Sequence, residues 1–304
     1  MLPNVIIAGT QKAGTTSLFR YLAAHPAVCH SSTKEVDFFL RHRGEIEDGV
    51  IKNYESFFSR CSSSQSIRLE ASPQYLMLSG LVAKRMYKLL PHIKLIFILR
   101  EPVSTLLSYI KFKPGVSTQR FSVESFISTI RGSRLNPIEP DDETGRINNL
   151  KRLQAGCYAA GLQEFLNYYP KNQIGIFFYD ELSADTRSLM EKVCNFIEID
   201  ASFYSDFQFK VENKTRSYKY PRLHRYVAKI NLKWEPFLNR YPSIRNGIRR
   251  IYHLISEAPE EELAVSESDM QQLKGYYASF NKQLCSLLQQ NYRDLTLPSW
   301  LTGA

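Results

Sequence analysis

The chain has 304 residues, 43% of them hydrophobic and 12% aromatic, with a formal net charge of +9. That content supports a sizeable core and excludes a low-complexity or disordered chain over most of the length. The positive balance suits a polyanionic ligand, but the basic residues are dispersed, with no zinc-finger spacing and no aromatic RNA-binding signature, so nucleic acid is not an expected partner.

Five cysteines (Cys29, Cys61, Cys157, Cys194 and Cys285) are far apart, odd in number and without a CxxC pair. This pattern predicts a reduced, intracellular chain with core thiols, and hence a cytoplasmic location. Met1-Leu2-Pro3-Asn4 leads straight into an apolar run, which does not read as a signal peptide. No apolar run approaches the roughly 20 residues that span a bilayer, so no membrane association is expected. A segment trimmed from the sequence stays open.

Val5–Ala8 is a short apolar strand that stops at Gly9. A loop follows, and from Gly14 the apolar spacing of Leu18, Tyr21 and Leu22 turns helical, to about Ala24. A strand, a glycine-bounded loop and a helix start make a phosphate cradle, because loop N–H groups and the positive helix end converge on an anion. Against the nucleotide-binding pattern G-x-x-x-x-G-K-[ST], Gly9, Gly14 and Thr16 keep their places, but position 15 is Thr and the lysine sits inside the loop, at Lys12. The shifted cation points to a different leaving group and to a site without a required metal. An ordinary strand–turn–helix junction is the competing reading.

His25-Pro26 closes the first helix. Lys34-Glu35-Val36-Asp37-Phe38-Phe39 is a charged step into an aromatic pair, and Ser62–Ser66 is a polar loop. Ile67–Glu70 reads as a short strand ending in Ala71-Ser72-Pro73, and Leu81–Leu90 as a helix before Pro91. Lys94–Leu99 is the strongest strand, near-continuously apolar as a strand buried on both faces should be. It ends at Arg100-Glu101-Pro102, and Pro102 suits the first turn of a helix carrying Ser108 and Tyr109. Residues 136–145 read as an exposed acidic loop. Leu150–Tyr168 reads as an amphipathic helix, Ile174–Tyr179 as a buried strand and Ala184–Ile197 as a helix. Beyond Asp200 strand signals fade; Lys210–Arg225 is basic and loop-like, and Met270–Gln290 is a final helix.

This alternation predicts an α/β fold: a P-loop-like open parallel sheet flanked by helices on both faces, with helical C-terminal elaborations. A single domain is expected, with a core over about 1–200, a basic lid at about 208–225 and a helical part at about 223–304. Ligands of such sheets bind at the carboxyl ends of the strands. Gly9, Glu35, Ser72, Arg100 and Ser108 all fall there or just beyond. Arg100 ends a strand that in a kinase or GTPase would end in an Asp reaching Mg²⁺. A guanidinium there offers a fork of donors to a second phosphate, and a salt bridge to Glu101 is the plainer alternative. Glu35 is a candidate general base, or half of a solvated pair with Lys34. Asn213-Lys214-Thr215-Arg216 reads as a lid over an anionic cofactor, or as a basic surface loop.

Together these motifs resemble the sulfotransferases that use 3′-phosphoadenosine 5′-phosphosulfate (PAPS), in their heparan-sulfate-type and bacterial branch. Residues 9–17 look like the 5′-phosphosulfate loop, Arg100 to Ser108-Tyr109 like the 3′-phosphate motif, and Lys34–Phe39 like the segment with the glutamate base. The resemblance implies that Gln11, Lys12, Ala13, Gly14, Thr15, Thr16 and Ser17 hold the 5′-phosphate end of PAPS, and Arg100 and Ser108 the 3′-phosphate. Tyr158 and the stretch Lys214, Thr215 and Arg216 would be later contacts to PAPS or its product PAP. Lys12 would neutralise the leaving group and Glu35 take the acceptor proton, with no metal. Asp37, Phe38, Ser72 and Tyr75 would stand beside the acceptor. Heparan-type enzymes carry a lysine where Ala71 stands and commonly a histidine where Asp37 stands. Both departures make the mouth of the site less positive, which points to a small neutral or cationic acceptor, as in natural product biosynthesis, or to a neutral sugar. A P-loop small-molecule kinase, a heparan-like glycan sulfotransferase and a nucleotide-binding protein without turnover are the rival readings.

Overall fold

The protein is described by a computed structural model, in which residues 1–42, 44, 47–112, 153–210, 217–218, 257–258 and 265–303 are described. Five strands, β1 (Val5–Gly9), β2 (Val28–His30), β3 (Ile67–Ala71), β4 (Lys94–Leu99) and β5 (Ile174–Phe178), pair in the order β2-β3-β1-β4-β5. Every neighbouring pair is parallel. The predicted parallel sheet is therefore observed, with the cradle-bearing strand at its centre.

Both faces are covered, which is why β1 and β4 read as unbroken apolar runs. Ile6 and Ala8 join Leu95, Phe97 and Leu99 on one face, and Val5 and Ile7 join Ile96 and Ile98 on the other. The first face packs on α4 (Ser79–Leu89), α6 (Tyr158–Leu166) and α9 (Glu267–Asn291). The second packs on α1 (Thr15–Ala23) and α8 (Thr186–Ile197). Each large aliphatic side chain buried here contributes about 1.5–3 kcal/mol, so a one-residue slip of β1 would exchange one packed set for another and is strongly disfavoured. The chain runs from β1 outward to β2 and β3 on one side, then crosses to β4 on the other. This reversal opens a crevice at the carboxyl ends of β1, β3 and β4.

Several boundaries differ from the sequence reading. The helix expected over Leu150–Tyr168 is interrupted at Ala155–Cys157, and α6 begins at Tyr158. A Cβ on Gly156 would lie 2.7 Å from the Pro102 Cβ, so the interruption lets the chain pass close to the start of α5 (Pro102–Phe112). The helix expected over Ala184–Ile197 is observed as α8, which starts two residues later, after Asp185, whose carboxylate accepts the Ser188 N–H at 3.1 Å; a separate short helix, α7 (Tyr179–Ala184), precedes it. β2 and α2 (Phe38–Arg41) are too short to carry a period, and α3 (Asp48–Ser56) buries only Tyr54, so its apolar stripe is thin. Within the basic stretch, β6 (Ser217–Tyr218) pairs antiparallel with β7 (Glu257–Ala258). A four-residue helix, α10 (Ser299–Thr302), follows α9.

Candidate active site

The turn leaving β1 is stitched to β4 by the Thr10 N–H, which donates to the Ile98 carbonyl at 2.9 Å. Lys12 and Gly14 then adopt left-handed backbone conformations, with φ of 64° and 82°. Only glycine suits position 14, because a Cβ there would stand 2.4 Å from Leu182 Cδ2. No side chain caps the start of α1, and no acidic residue stands in its first turn. The positive helix end is thus open to an anion from outside the chain. Ala13, Thr15 and Ser17 are buried, whereas Gln11, Lys12, Gly14 and Thr16 are partly exposed.

Lys12 lies with its ammonium 5.9 Å from the centre of the Tyr109 ring, and the Tyr109 hydroxyl donates to Gln11 Oε1. These contacts bring the Ser108–Tyr109 turn of α5 against the cradle. Burial pulls the Lys12 ammonium down to about 8; the Glu35 carboxylate works against this and the Lys34 ammonium adds to it. Lys12 and Glu35, 23 positions apart in sequence, therefore act on one another electrostatically in the fold.

Arg100 leaves β4 and turns back to the cradle. Its Nη1 donates to the Lys12 carbonyl at 2.9 Å, and the guanidinium sits 4.3 Å from the centre of the Tyr179 ring. The Glu101 carboxylate is used elsewhere: it accepts the Val103 and Ser104 N–H groups at 3.0 and 2.6 Å and caps α5. The Glu101 carboxylate is thus engaged by backbone N–H groups and not by Arg100. Tyr158, expected to touch the cofactor, is instead buried, and its hydroxyl donates to the Arg100 carbonyl at 2.7 Å. It positions Arg100 from behind.

The opposite wall is the turn Glu35–Asp37. The Glu35 N–H donates to the Ala71 carbonyl at 2.8 Å, and its carboxylate takes an ion pair from Lys34 at 2.7 Å. Glu35 and Asp37 are both left-handed, at φ of 61° and 51°. Of the four non-glycine residues with positive φ among those described, Lys12, Glu35 and Asp37 belong to this site. Strain of this kind, of order 1–3 kcal/mol each, persists where surrounding contacts over-determine the backbone. Burial, reinforced by the Glu35 charge, raises the Asp37 carboxyl above its ordinary value. Asp37 Oδ1 is buried without a hydrogen-bond partner. Of the four residues expected beside the acceptor, Asp37 alone is partly exposed; Phe38, Ser72 and Tyr75 are buried beneath the turn. These three side chains are thus packed in the interior behind the turn.

One residue of this site carries no motif in the sequence, Tyr179. The one signal for Tyr179 was its place just after β5, at the edge where ligands of such sheets bind. Lys214, Thr215 and Arg216 lie outside the described residues, as does most of the expected lid. Among the described residues, no group of three or more His, Cys, Asp or Glu could hold a metal ion, and no helix is long and apolar enough to cross a membrane.

The expectation of reduced thiols throughout is overturned. Cys29 on β2 and Cys61, just beyond α3, form a disulfide with a Cα–Cα distance of 5.5 Å. The two are far apart in sequence, and the fold brings β2 alongside the end of α3. The bridge closes a loop of 32 residues that carries Glu35 and Asp37. Closing a loop of that length restricts the unfolded chain, and reduction is expected to cost about 3 kcal/mol. Thermal unfolding with and without a reductant checks this: a melting temperature unmoved by reduction would contradict it.

A parallel sheet with an open anion cradle, a cation inside the cradle, a guanidinium on the next strand and a carboxylate opposite defines a nucleotide-dependent group transferase. The family model for the sulfotransferase domain matches residues 2–244, and the chain belongs to that family. It is 28% identical over 202 residues to heparan sulfate glucosamine 3-O-sulfotransferase 5 of Mus musculus, covering 65% of this chain and 54% of that one. It is 30% identical over 207 residues to bifunctional heparan sulfate N-deacetylase/N-sulfotransferase 2 of Homo sapiens, covering 65% and 22%. A third relative, membrane-associated sulfotransferase kil1 of Dictyostelium discoideum, is 26% identical over 277 residues, with 68% and 58% covered. The chain thus spans little more than half, or less, of the curated relatives it matches. In fold it is similar to a sulfotransferase from Alicyclobacillus acidocaldarius, with a TM-score of 0.62 at 20% identity over 99% of both chains.

Proposed function

We propose that this chain, working as one domain, transfers a sulfuryl group from PAPS to a hydroxyl or amine of a small acceptor, releasing PAP. The observation that carries this is the cradle itself, an uncapped helix start with Lys12 inside it and the Arg100 guanidinium tied to the Lys12 carbonyl at 2.9 Å, with Glu35 near enough to act on Lys12 electrostatically. PAPS, when bound, supplies a sulfuryl group on a phosphate leaving group. The residues present fit it: an uncapped helix start with Gln11 to Ser17 for one phosphate end, and the Arg100 fork, with Ser108 on the adjoining helix, for the other. Lys12 compensates the negative charge that develops on the leaving oxygen. Glu35 accepts the proton that the acceptor gives up. No metal has a part in this assignment. Lys214, Thr215 and Arg216 are proposed to close over the cofactor.

Asp37 carries the acceptor preference. Its buried Oδ1 lacks a partner, and burial with the neighbouring Glu35 charge raises its carboxyl above the ordinary value, so it suits a donor group on an uncharged or cationic acceptor and disfavours a polyanion. A small natural product or a neutral sugar fits this mouth. A glycan acceptor is the second reading, favoured by the heparan sulfate enzymes among the relatives. The expectation of a cytoplasmic setting rested on reduced thiols. The Cys29–Cys61 bridge favours a compartment that keeps disulfides oxidised.

Thermal shift with PAP and transfer from radiolabelled PAPS test the proposal. PAP should stabilise the protein without Mg²⁺, and label should pass to octyl glucoside or phenylethanolamine faster than to N-desulfated heparan. Preference for the polymer would overturn the acceptor assignment, and stabilisation by Mg-ATP alone would overturn the transferase. Arg100→Ala should cut PAP binding by about 2–4 kcal/mol, because a phosphate loses a charged fork of donors. Titration calorimetry of that variant reads the loss; wild-type affinity would remove Arg100 from the phosphate site.

A further inference from the structure

Glu70 is a carboxylate fully buried on β3. Burial pushes its carboxyl up to about 6, while hydrogen bonds from Ser72, Tyr54 and Tyr75 hold it down. Ser72 Oγ donates to Oε1 at 2.6 Å, the Tyr75 hydroxyl donates to the same oxygen at 3.1 Å, and the Tyr54 hydroxyl donates to Oε2. A buried carboxylate that collects three hydroxyls costs stability unless the network is fully satisfied, so its presence asks for a use.

The hydroxyls themselves are engaged on their other side by the turn that bears Glu35. Ser72 Oγ accepts the Asp37 N–H at 3.0 Å, and the Tyr75 hydroxyl accepts the Phe39 N–H at 3.4 Å. Between them, Phe38 stacks on the Tyr54 ring with centroids 4.0 Å apart and planes 6° from parallel. Three consecutive residues, 37, 38 and 39, are thus held by three side chains that all converge on one carboxylate. The same segment contains the two left-handed residues Glu35 and Asp37, a geometry that a free chain would leave.

We propose that Glu70 is the positioning residue of the base-bearing turn: by orienting the Ser72 and Tyr75 hydroxyls it fixes the backbone of Asp37 and Phe39, and so the geometry that presents Glu35 to an acceptor. The consequence for turnover rests on the reading of Glu35 as the base; the backbone part does not. Glu70 touches no reactant. It acts through two hydroxyls, each of which is oriented as an acceptor for a turn N–H only while its own proton has somewhere to go.

The test combines amide exchange with turnover. Glu70→Leu removes both acceptor oxygens at similar volume. Glu70→Gln keeps an amide oxygen for Ser72 and Tyr75 and can donate to the Tyr54 hydroxyl. In Glu70→Leu, exchange of the Asp37 and Phe39 amides should accelerate by about tenfold or more while amides of β1 and α1 stay protected. PAP affinity should hold, and kcat with octyl glucoside or phenylethanolamine should fall. Glu70→Gln should restore most of the protection and of kcat. Equal behaviour of the Leu and Gln variants, or unchanged protection in both, would overturn the proposal. If Glu70→Leu does not fold, the single arms decide. Ser72→Ala should release the Asp37 amide but not that of Phe39, and Tyr75→Phe the reverse; release of both or of neither by each would defeat it. Retained activity in Glu35→Gln would remove the base reading but leave the exchange result to judge Glu70 by itself.

Discussion

Glu35→Gln is expected to lower kcat by about 10²–10⁴-fold, the usual worth of a positioned general base, with PAP affinity close to wild type. The amide keeps the size of the carboxylate and can still accept from Lys34, so the ion pair at 2.7 Å becomes a neutral hydrogen bond and the turn keeps its anchor at the Ala71 carbonyl. What is lost is the site for the acceptor proton. Single-turnover kinetics with labelled PAPS, beside calorimetry with PAP, separates the two quantities. Wild-type turnover in this variant would move the base elsewhere, with His30 the next residue to test. A parallel loss of PAP binding would mean that Glu35 supports the cofactor side through Lys12.

Lys12→Ala is expected to lower kcat by about 10²–10³-fold, as removal of one charge-stabilising donor commonly does. The side chain makes a second, pH-dependent prediction. In the free enzyme burial brings its ammonium down to about 8. The group is charged below that value and neutral above it, so kcat/KM should fall as pH rises through about 8. The limb seen in kcat should lie at higher pH, because a bound anionic donor favours the ammonium. Lys12→Arg retains charge throughout this range and should flatten the alkaline limb of kcat/KM, at a reduced rate because the guanidinium is larger and planar. An unchanged limb in Lys12→Arg would assign that titration to another group.

The Cys29–Cys61 bridge and the Glu70 network bear on the same segment from two sides. The bridge joins the ends of the loop that carries Glu35 and Asp37, and the network pins its middle. The cradle, by contrast, holds its own shape through Gly14, the Thr10 link to β4 and the Arg100 link to the Lys12 carbonyl. The cradle and the Glu35–Asp37 turn are thus held by separate sets of contacts. That separation is why substitutions at Arg100 and at Glu70 should split cleanly between affinity and rate.

The amino-acid sequence by itself determined the parallel sheet, since a strand buried on both faces must be apolar along its buried length, as β1 and residues 95–99 are. It also determined the cradle, because Gly9, Lys12, Gly14 and Thr16 act within one turn and local spacing is enough to read them. Arg100 was legible for a related reason: a charge at the end of a buried strand stands at the edge where ligands bind. The tertiary structure alone decided what depends on distant partners. Cys29 pairs with Cys61 because β2 and the end of α3 meet. Ser72, Tyr75 and Phe38 are buried because the turn at 37–39 folds over the segment that follows β3, and Tyr158 reaches the Arg100 carbonyl because the chain breaks at Gly156. Glu70 is the sharpest case. A lone glutamate in a short strand has no periodic or motif signal, and its meaning comes from three hydroxyls that local sequence rules do not place around one carboxylate.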